Sequence, residues 1–244
     1  MHNILPSLLK QLCLPEIKTN WEILSKEAEE NHWTYSEYLT KLCEIEVASR
    51  YQKRIQRYIK ESKLPSGKTL STFDFAATKT INAAQIKAIA ENDTWIKERQ
   101  NIILFGPSGV GKTHLISAIG HSLIDQEIRV FFSSTTAIVQ KLQVAKQECK
   151  LHDMLNKLSK YQLLILDDIG YVRKNEMETS VLFELIADRY ENNSIAITSN
   201  QAFSKWDSIF PDDVMTVAAI DRLVHHSIII NIEEQSYRKK GLEN

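Results

Sequence analysis

A parallel α/β domain preceded by a small all-helical one is the fold class that this chain of 244 residues predicts, and three observations predict it. Up to about Lys63 there is no glycine, and apolar residues recur three or four apart, as in Tyr38, Leu42, Ile45, Tyr51, Ile55 and Tyr58. Beyond that point, short β-rich runs alternate with amphipathic helical stretches, the signature of a sheet covered on both faces. Between the first run and its helix lies Gly106-Pro107-Ser108-Gly109-Val110-Gly111-Lys112-Thr113, a GxxxxGK[ST] loop in the strand, loop and helix setting that a phosphate loop requires.

The helical region is expected to be a domain of its own over 1–66. Thr34 followed by Glu37 fits a capping box, so a long helix starts there and runs to about Ser62, where Leu64-Pro65-Ser66-Gly67 stops it. A linker of roughly 63 to 100 with its own helix leads into the core, and the second domain is placed at 67–244. Its strands are read at Asn101–Phe105, Ile128–Ser133, Leu163–Asp167, Ser194–Ser199 and Ser227–Ile232.

Composition sets the outer bounds. Hydrophobic residues make up 43% and charged residues 25%, with 30 Lys and Arg against 31 Asp and Glu, which excludes disorder, collagen and a disulfide-rich miniature. A net charge of -1 says nothing of partners, so a nucleic-acid surface would have to come from charge segregated along the chain. Cys13, Cys43 and Cys149 are odd in number and far apart, which fits a reduced compartment and not zinc. The apolar start is interrupted by Pro6 and Lys10 and lacks a basic leader and a cleavage site. A cytoplasmic protein with no membrane partner is expected.

The loop carries the chemistry. Its glycines let backbone N–H groups turn inward around phosphates, the helix N-terminus adds a favourable dipole, and Lys112 neutralises the outer phosphate oxygens. Gly106, Pro107, Ser108, Gly109, Val110, Gly111, Lys112, Thr113 and the following His114 are the expected ATP-binding residues. Thr113 supplies a hydroxyl for Mg2+. Leu163-Leu164-Ile165-Leu166-Asp167-Asp168 then reads as a buried strand with carboxylates at its end: Asp167 as the second magnesium group, Asp168 to polarise the attacking water. Paired aspartates also cap strands, and the phosphate loop upstream is what favours the metal reading. Asn200, at the end of its strand, reads alone either as a turn residue or as a group sensing the γ-phosphate. Arg222 reads alone either as a surface charge or as an arginine finger for a neighbouring subunit. Adjacent His225 and His226 point about 100° apart on a helix, which does not suit shared metal binding.

With these residues in place, the chain resembles the AAA+ ATPases of the IstB and DnaC type, and among them the IstB-like ATP-binding helpers of insertion-sequence transposons. The resemblance covers nearly the whole chain. It is most specific at Leu164 to Val172, Glu178 to Ile186, Asn200 to Asp207 and Met215 to His226. It implies a P-loop AAA+ core behind a helical N-terminal domain, an ATPase that self-assembles into a ring or spiral, binds and bends duplex DNA, and stimulates a cognate DDE-type transposase. It also implies that Asn200 is the sensor and Arg222 the finger, and it raises Arg238 as a second sensing arginine. Many AAA+ proteins carry Asp-Glu where this chain has Asp167-Asp168, which bears on hydrolysis rate and not on nucleotide binding. Two other functions fit the same motifs: a helicase loader acting on single-stranded DNA, and a nucleotide-gated DNA-binding module with negligible turnover.

DNA contact is expected where basic residues cluster. Arg50, Lys53, Arg54, Arg57, Lys60, Lys63 and Lys68 stand against the single acid Glu61. At about 100° per residue the first five share one helix face, with Tyr51, Ile55, Tyr58 and Ile59 roughly opposite. A solvated basic face gives the same pattern, and the resemblance favours phosphate contacts. Arg173 and Lys174, with Tyr171, follow the Asp pair and could link nucleotide state to bound DNA; Lys141, Lys146, Lys150 and Lys157 form a weaker set. Trp95, Phe73 and Phe75 precede the phosphate-loop strand, where linker packing and contact with the base are equally open readings.

Overall fold

Prolines stand in the first turns of the first two helices of the computed structural model, which describes residues 4–78, 80–170, 176–201, 206 and 213–233. Proline tolerates these positions because the first amides of a helix have no intrahelical acceptor. Contacts divide the chain into two units, Met1–Arg57 and Tyr58–Asn244.

The first unit contains α1 (Leu5–Gln11), α2 (Pro15–Glu30) and most of α3 (Tyr35–Ser62). Leu9, Ile17, Leu24 and Leu42 form its buried core, with Trp21, Trp33, Tyr38 and Ile45 packed around them. Residue Leu14 cannot cap α2, and the buried Glu46 of α3 does so instead, accepting the Glu16 N–H at 2.9 Å and the Ile17 N–H at 3.3 Å. A carboxylate at a helix N-terminus meets both the unpaired amides and the dipole. The capping box at Thr34 is present: the Thr34 N–H donates to Glu37 at 2.7 Å and the Glu37 N–H donates to Thr34 Oγ1 at 3.3 Å.

Helix α3 spans the length expected of it, but the division between units falls inside it and not at 66–67. Its last turn works for the second unit: Glu61 pairs with Arg129 at 3.0 Å, and the Arg129 guanidinium lies 5.7 Å from the Tyr58 ring and 4.9 Å from Tyr161. The face expected to pack opposite the basic stripe is buried only at Ile55, while Tyr51 and Ile59 are exposed.

The second unit is built on a five-stranded, wholly parallel sheet in the order β2-β3-β4-β1-β5. Its strands are β1 (Asn101–Phe105), β2 (Val130–Ser134), β3 (Leu163–Asp167), β4 (Ser194–Ser199) and β5 (Ser227–Asn231). Apolar runs with both faces covered are what a parallel sheet demands, and every residue of β1 and β4 is buried. Alternation sorts the side chains. Ile103, Phe105, Leu164, Leu166, Ile195 and Ile197 join one core cluster with α7 (Thr135–Gln147), α8 (Leu151–Leu158), α9 (Glu176–Arg189) and α10 (Asp213–Val224). On the other face α6 (Lys112–Asp125) crosses the sheet, close enough that a Cβ on Gly120 would lie 3.1 Å from Ile165 Cδ1.

The stretch read as a linker is part of this unit. Helix α4 (Ala83–Glu91) packs on α6, and Ile86, Ile89 and Ala90 are buried, as are Trp95 and Ile96 in the short α5 (Thr94–Lys97). Trp95 donates its Nε1–H to the Ile89 carbonyl at 3.0 Å, which settles its open reading as packing. Among the described residues no helix is long and apolar enough to cross a membrane.

Candidate active site

The site lies where the parallel strands end, in the crevice outside their carboxyl termini. Phe105 ends β1, Asp167 ends β3 and Ser199 ends β4, and the register sets Phe105 beside Ser199. From Phe105 the chain turns through Gly106, Gly109 and Gly111, with φ of 153°, 85° and 94°, conformations that L side chains rarely adopt. At Gly106 the need is also steric, because a Cβ there would lie 2.6 Å from the Ile232 carbonyl oxygen. Gly111 is the N-cap of α6. The loop therefore ends on a helix N-terminus with its amides available to an anion.

Lys112 is buried at 8% exposure and donates its Nζ to the Gly106 and Pro107 carbonyls at 2.8 and 2.9 Å, which fixes the ammonium within the loop. Thr113 Oγ1 donates to Asp167 Oδ1 and Oδ2 at 2.9 and 3.0 Å. A hydroxyl and a carboxylate this close offer hard oxygen ligands, and Mg2+ takes few protein ligands of this kind beside phosphate and water, so the donor set fits it. Asp168 adopts φ 63°, an uncommon conformation for a residue other than glycine. Its N–H donates to Thr198 Oγ1 at 2.8 Å, and Thr198 Oγ1 donates to Asp167 Oδ1 at 2.6 Å.

Asn200 follows β4, and its buried Oδ1 has no hydrogen-bond partner among the described residues. A Cβ on Gly170 would lie 2.9 Å from that oxygen, so glycine is what lets Asn200 approach the residues after Asp168. His114 Nε2 lies 3.1 Å from both Thr69 O and Thr72 Oγ1. It thereby ties the turn at Leu70–Thr72 to α6, and Phe73 of that segment packs on the loop, 3.0 Å from where a Gly111 Cβ would stand.

Arg222 stands apart from these groups. It precedes β5, whose first residue Ser227 pairs with Asn101 at the start of β1, whereas the phosphate loop follows the far end of that strand. Four steps of about 3.3 Å put roughly 13 Å between the two ends of the five-residue strand. Its guanidinium lies over the Phe183 ring at 4.8 Å, and Nη1 has no partner among the described residues. Nothing places it on its own protomer's nucleotide.

On α3, Arg50, Lys53, Arg54, Arg57 and Lys60 are all exposed. Arg50 pairs with Glu46 at 2.9 Å and donates to the Cys13 carbonyl, and Lys53 pairs with Glu16 at 2.8 Å. Lys146, from the weaker set, pairs with Glu184 at 2.7 Å. Tyr171, Arg173, Lys174 and Arg238 lie outside the described residues.

Sequence reading missed Thr198 and Gly170. The signal for Thr198 was a hydroxyl beside Ser199 at the end of an otherwise apolar strand; for Gly170, a rare glycine two residues after an acidic pair.

Comparison with known proteins agrees with this geometry. The family described as IstB-like ATP binding protein matches residues 7–243. An insertion-sequence ATP-binding protein of Sinorhizobium fredii is 49% identical over 234 residues, covering 96% of this chain and 78% of the relative. The ATP-binding protein of insertion sequence IS5376 from Geobacillus stearothermophilus is 38% identical over 228 residues, 93% of this chain and 90% of its own. Among solved structures, the crystal structure of the DnaC helicase loader superimposes with a TM-score of 0.57 at 19% identity, over 72% of this chain and 98% of that one. At such identity the likeness speaks to the AAA+ fold alone.

Proposed function

The chain belongs to the IstB-like ATP-binding family of insertion-sequence proteins, and from that premise we propose a DNA-remodelling ATPase that assembles on target duplex DNA and stimulates a transposase. The observation that carries the enzymatic part is the contact of Thr113 with both oxygens of Asp167, at the mouth of a loop whose glycines and buried lysine suit a triphosphate. Loop amides and the α6 N-terminus hold the phosphates, and Lys112 neutralises their outer oxygens. Thr113 and Asp167 hold Mg2+, which when bound draws charge from the phosphate oxygens. Asp168 accepts a proton from the attacking water. Thr198 orients the Asp167 carboxylate and holds the Asp168 backbone amide, and Asn200 reads the γ-phosphate through its amide.

Arg222 is assigned to the nucleotide of a neighbouring copy, a reading supported by its place near the amino end of the sheet, away from the phosphate loop. Such a head-to-tail contact builds a ring or an open spiral. Names of the relatives support ATP binding in insertion sequences. Duplex DNA is met through phosphate contacts, with Arg50, Lys53, Arg54, Arg57 and Lys60 of α3 and Arg173 and Lys174 as candidates.

Binding to labelled duplex and to labelled single strands of equal length, with ATP and without, tests the DNA part. ATP-dependent preference for duplex supports it. Preference for single strands would turn the reading to a helicase loader, and equal weak binding would leave no DNA role.

A further inference from the structure

Two histidines of α6 grip the chain that leads out of α3. His114 Nε2 lies 3.1 Å from the Thr69 carbonyl and, two turns further along the same helix face, His121 Nε2 lies 3.1 Å from the Pro65 carbonyl. Between them a Cβ on Gly120 would stand 3.1 Å from Leu64 Cδ2, so helix and segment are in close contact. A carbonyl oxygen only accepts, so Nε2 carries the hydrogen in both rings. The turn that His114 holds is closed on itself: the Thr69 N–H donates to Thr72 Oγ1 at 3.0 Å, and that hydroxyl donates to the Gly67 carbonyl at 2.7 Å.

Phe73 follows Thr72 directly, and its ring reaches the phosphate loop. It stands edge-on to the His114 ring, with centroids 5.2 Å apart and planes at 85°, and Phe75 backs it at 4.8 Å. Its Cε2 and Cζ would lie 3.0 and 3.5 Å from a Cβ on Gly111, so the ring meets the bare backbone of that glycine. Gly111 holds φ 94° and caps α6, with Lys112 next in the chain. The orientation of this one residue therefore directs the last loop amides and the first turn of α6 toward a bound anion. His114 comes three residues after Gly111, on the same side of the helix start, so a single ring spans both.

We propose that His114 is a positioning residue for the phosphate loop: it holds the turn from Thr69 to Thr72, the turn sets the Phe73 ring against Gly111, and the ring fixes the loop end in the shape that receives ATP. His114 then acts on the nucleotide through Phe73. A loop end fixed beforehand loses less freedom when ATP binds, so the contribution appears as affinity. The inference rests on the reading of Gly106 to Thr113 as the ATP site.

The test measures the affinity of the full chain for ATP with Mg2+ by isothermal titration, beside melting without nucleotide. His114→Ala is expected to weaken ATP binding about 5- to 10-fold, the scale of one lost hydrogen bond. His114→Gln, whose amide N–H can reach the same carbonyl, should restore most of the loss. Phe73→Leu, which keeps an apolar side chain and drops the ring, should lose a similar amount. Combined with His114→Ala it should lose no more than the larger single change, because the two residues act in series. His121→Ala removes the distant clasp and should lower the melting temperature with ATP affinity unchanged. Wild-type affinity in His114→Ala overturns the inference, as do additive losses in the double variant, failure of His114→Gln to rescue, or an equal loss in His121→Ala. Wild-type protein that binds no ATP would instead sink the ATP-site reading, and this inference with it. The readout involves neither DNA nor turnover, so it can fail apart from the DNA-remodelling reading.

Discussion

Thr198 Oγ1 donates to Asp167 Oδ1 at 2.6 Å, and the same oxygen accepts the Asp168 N–H at 2.8 Å, so one hydroxyl on β4 ties the carboxylate that ends β3 to the backbone of the residue after it. The register makes this possible, because Leu166 pairs with Ile197 and the next residues along each strand come together at the carboxyl end of the sheet. Thr198→Val keeps the shape and removes the hydroxyl. It leaves the Asp168 amide without its partner, which predicts a loss of about 1–3 kcal/mol in urea unfolding. ATP turnover should fall by more than that stability loss explains, since Asp167 also loses a donor.

Gly170 answers for Asn200. A Cβ there would stand 2.9 Å from Asn200 Oδ1, so Gly170→Ala displaces the side chain proposed to read the γ-phosphate. Turnover is expected to drop about 10- to 100-fold while ATP affinity changes little, because misplacing a transition-state group costs rate and not ground-state binding. Steady-state kinetics with a parallel nucleotide titration separates the two.

The exposed basic stripe of α3 gives a salt-dependent test. Arg54→Gln with Arg57→Gln should weaken duplex binding and lower the slope of log affinity against log salt by about 2. Arg50→Gln should act chiefly on folding, because it strips the buried Glu46 of its ion pair. Anisotropy titrations at several salt concentrations, beside thermal melts, distinguish these outcomes.

Acid sensitivity of the helical unit follows from the same carboxylate. Burial pushes the Glu46 carboxyl up, but hydrogen bonds from Arg50, Ile17 and Glu16 outweigh it and hold the pKa below its ordinary value. A folded-state pKa below the unfolded one gives stability that is present above the ordinary carboxylate pKa and lost as pH falls through the depressed value. Denaturation of the unit should therefore steepen in that acidic window, and Glu46→Gln should flatten the profile while lowering stability at neutral pH. Circular dichroism melts across pH check both.

Much of this was legible in the chain. Gly106 to Thr113 and Leu163 to Asp168 announce themselves because phosphate and metal chemistry demand fixed residue types at fixed spacing. The capping box at Thr34 and Glu37 is similarly local. What stayed hidden depends on strands brought together from afar. Thr198 matters only through the β3 and β4 register, and Glu46 caps α2 across a helix pair. Segment 63–100 looked like a linker because Ile86, Ile89 and Trp95 give no sign in sequence of packing on the P-loop unit. Arg50 and Lys53 looked like a solvent-facing stripe because helical periodicity does not reveal Glu16 and Glu46 opposite them.

The central claim is that this is a nucleotide-hydrolysing enzyme driven by duplex DNA. ATP turnover of the wild type and of Lys112→Ala, each without DNA, with duplex and with single strands at fixed low salt, tests it most directly. Stimulation by duplex that vanishes in Lys112→Ala is the predicted result. Bound nucleotide with no turnover under any condition would contradict it and leave a nucleotide-gated binding module in its place.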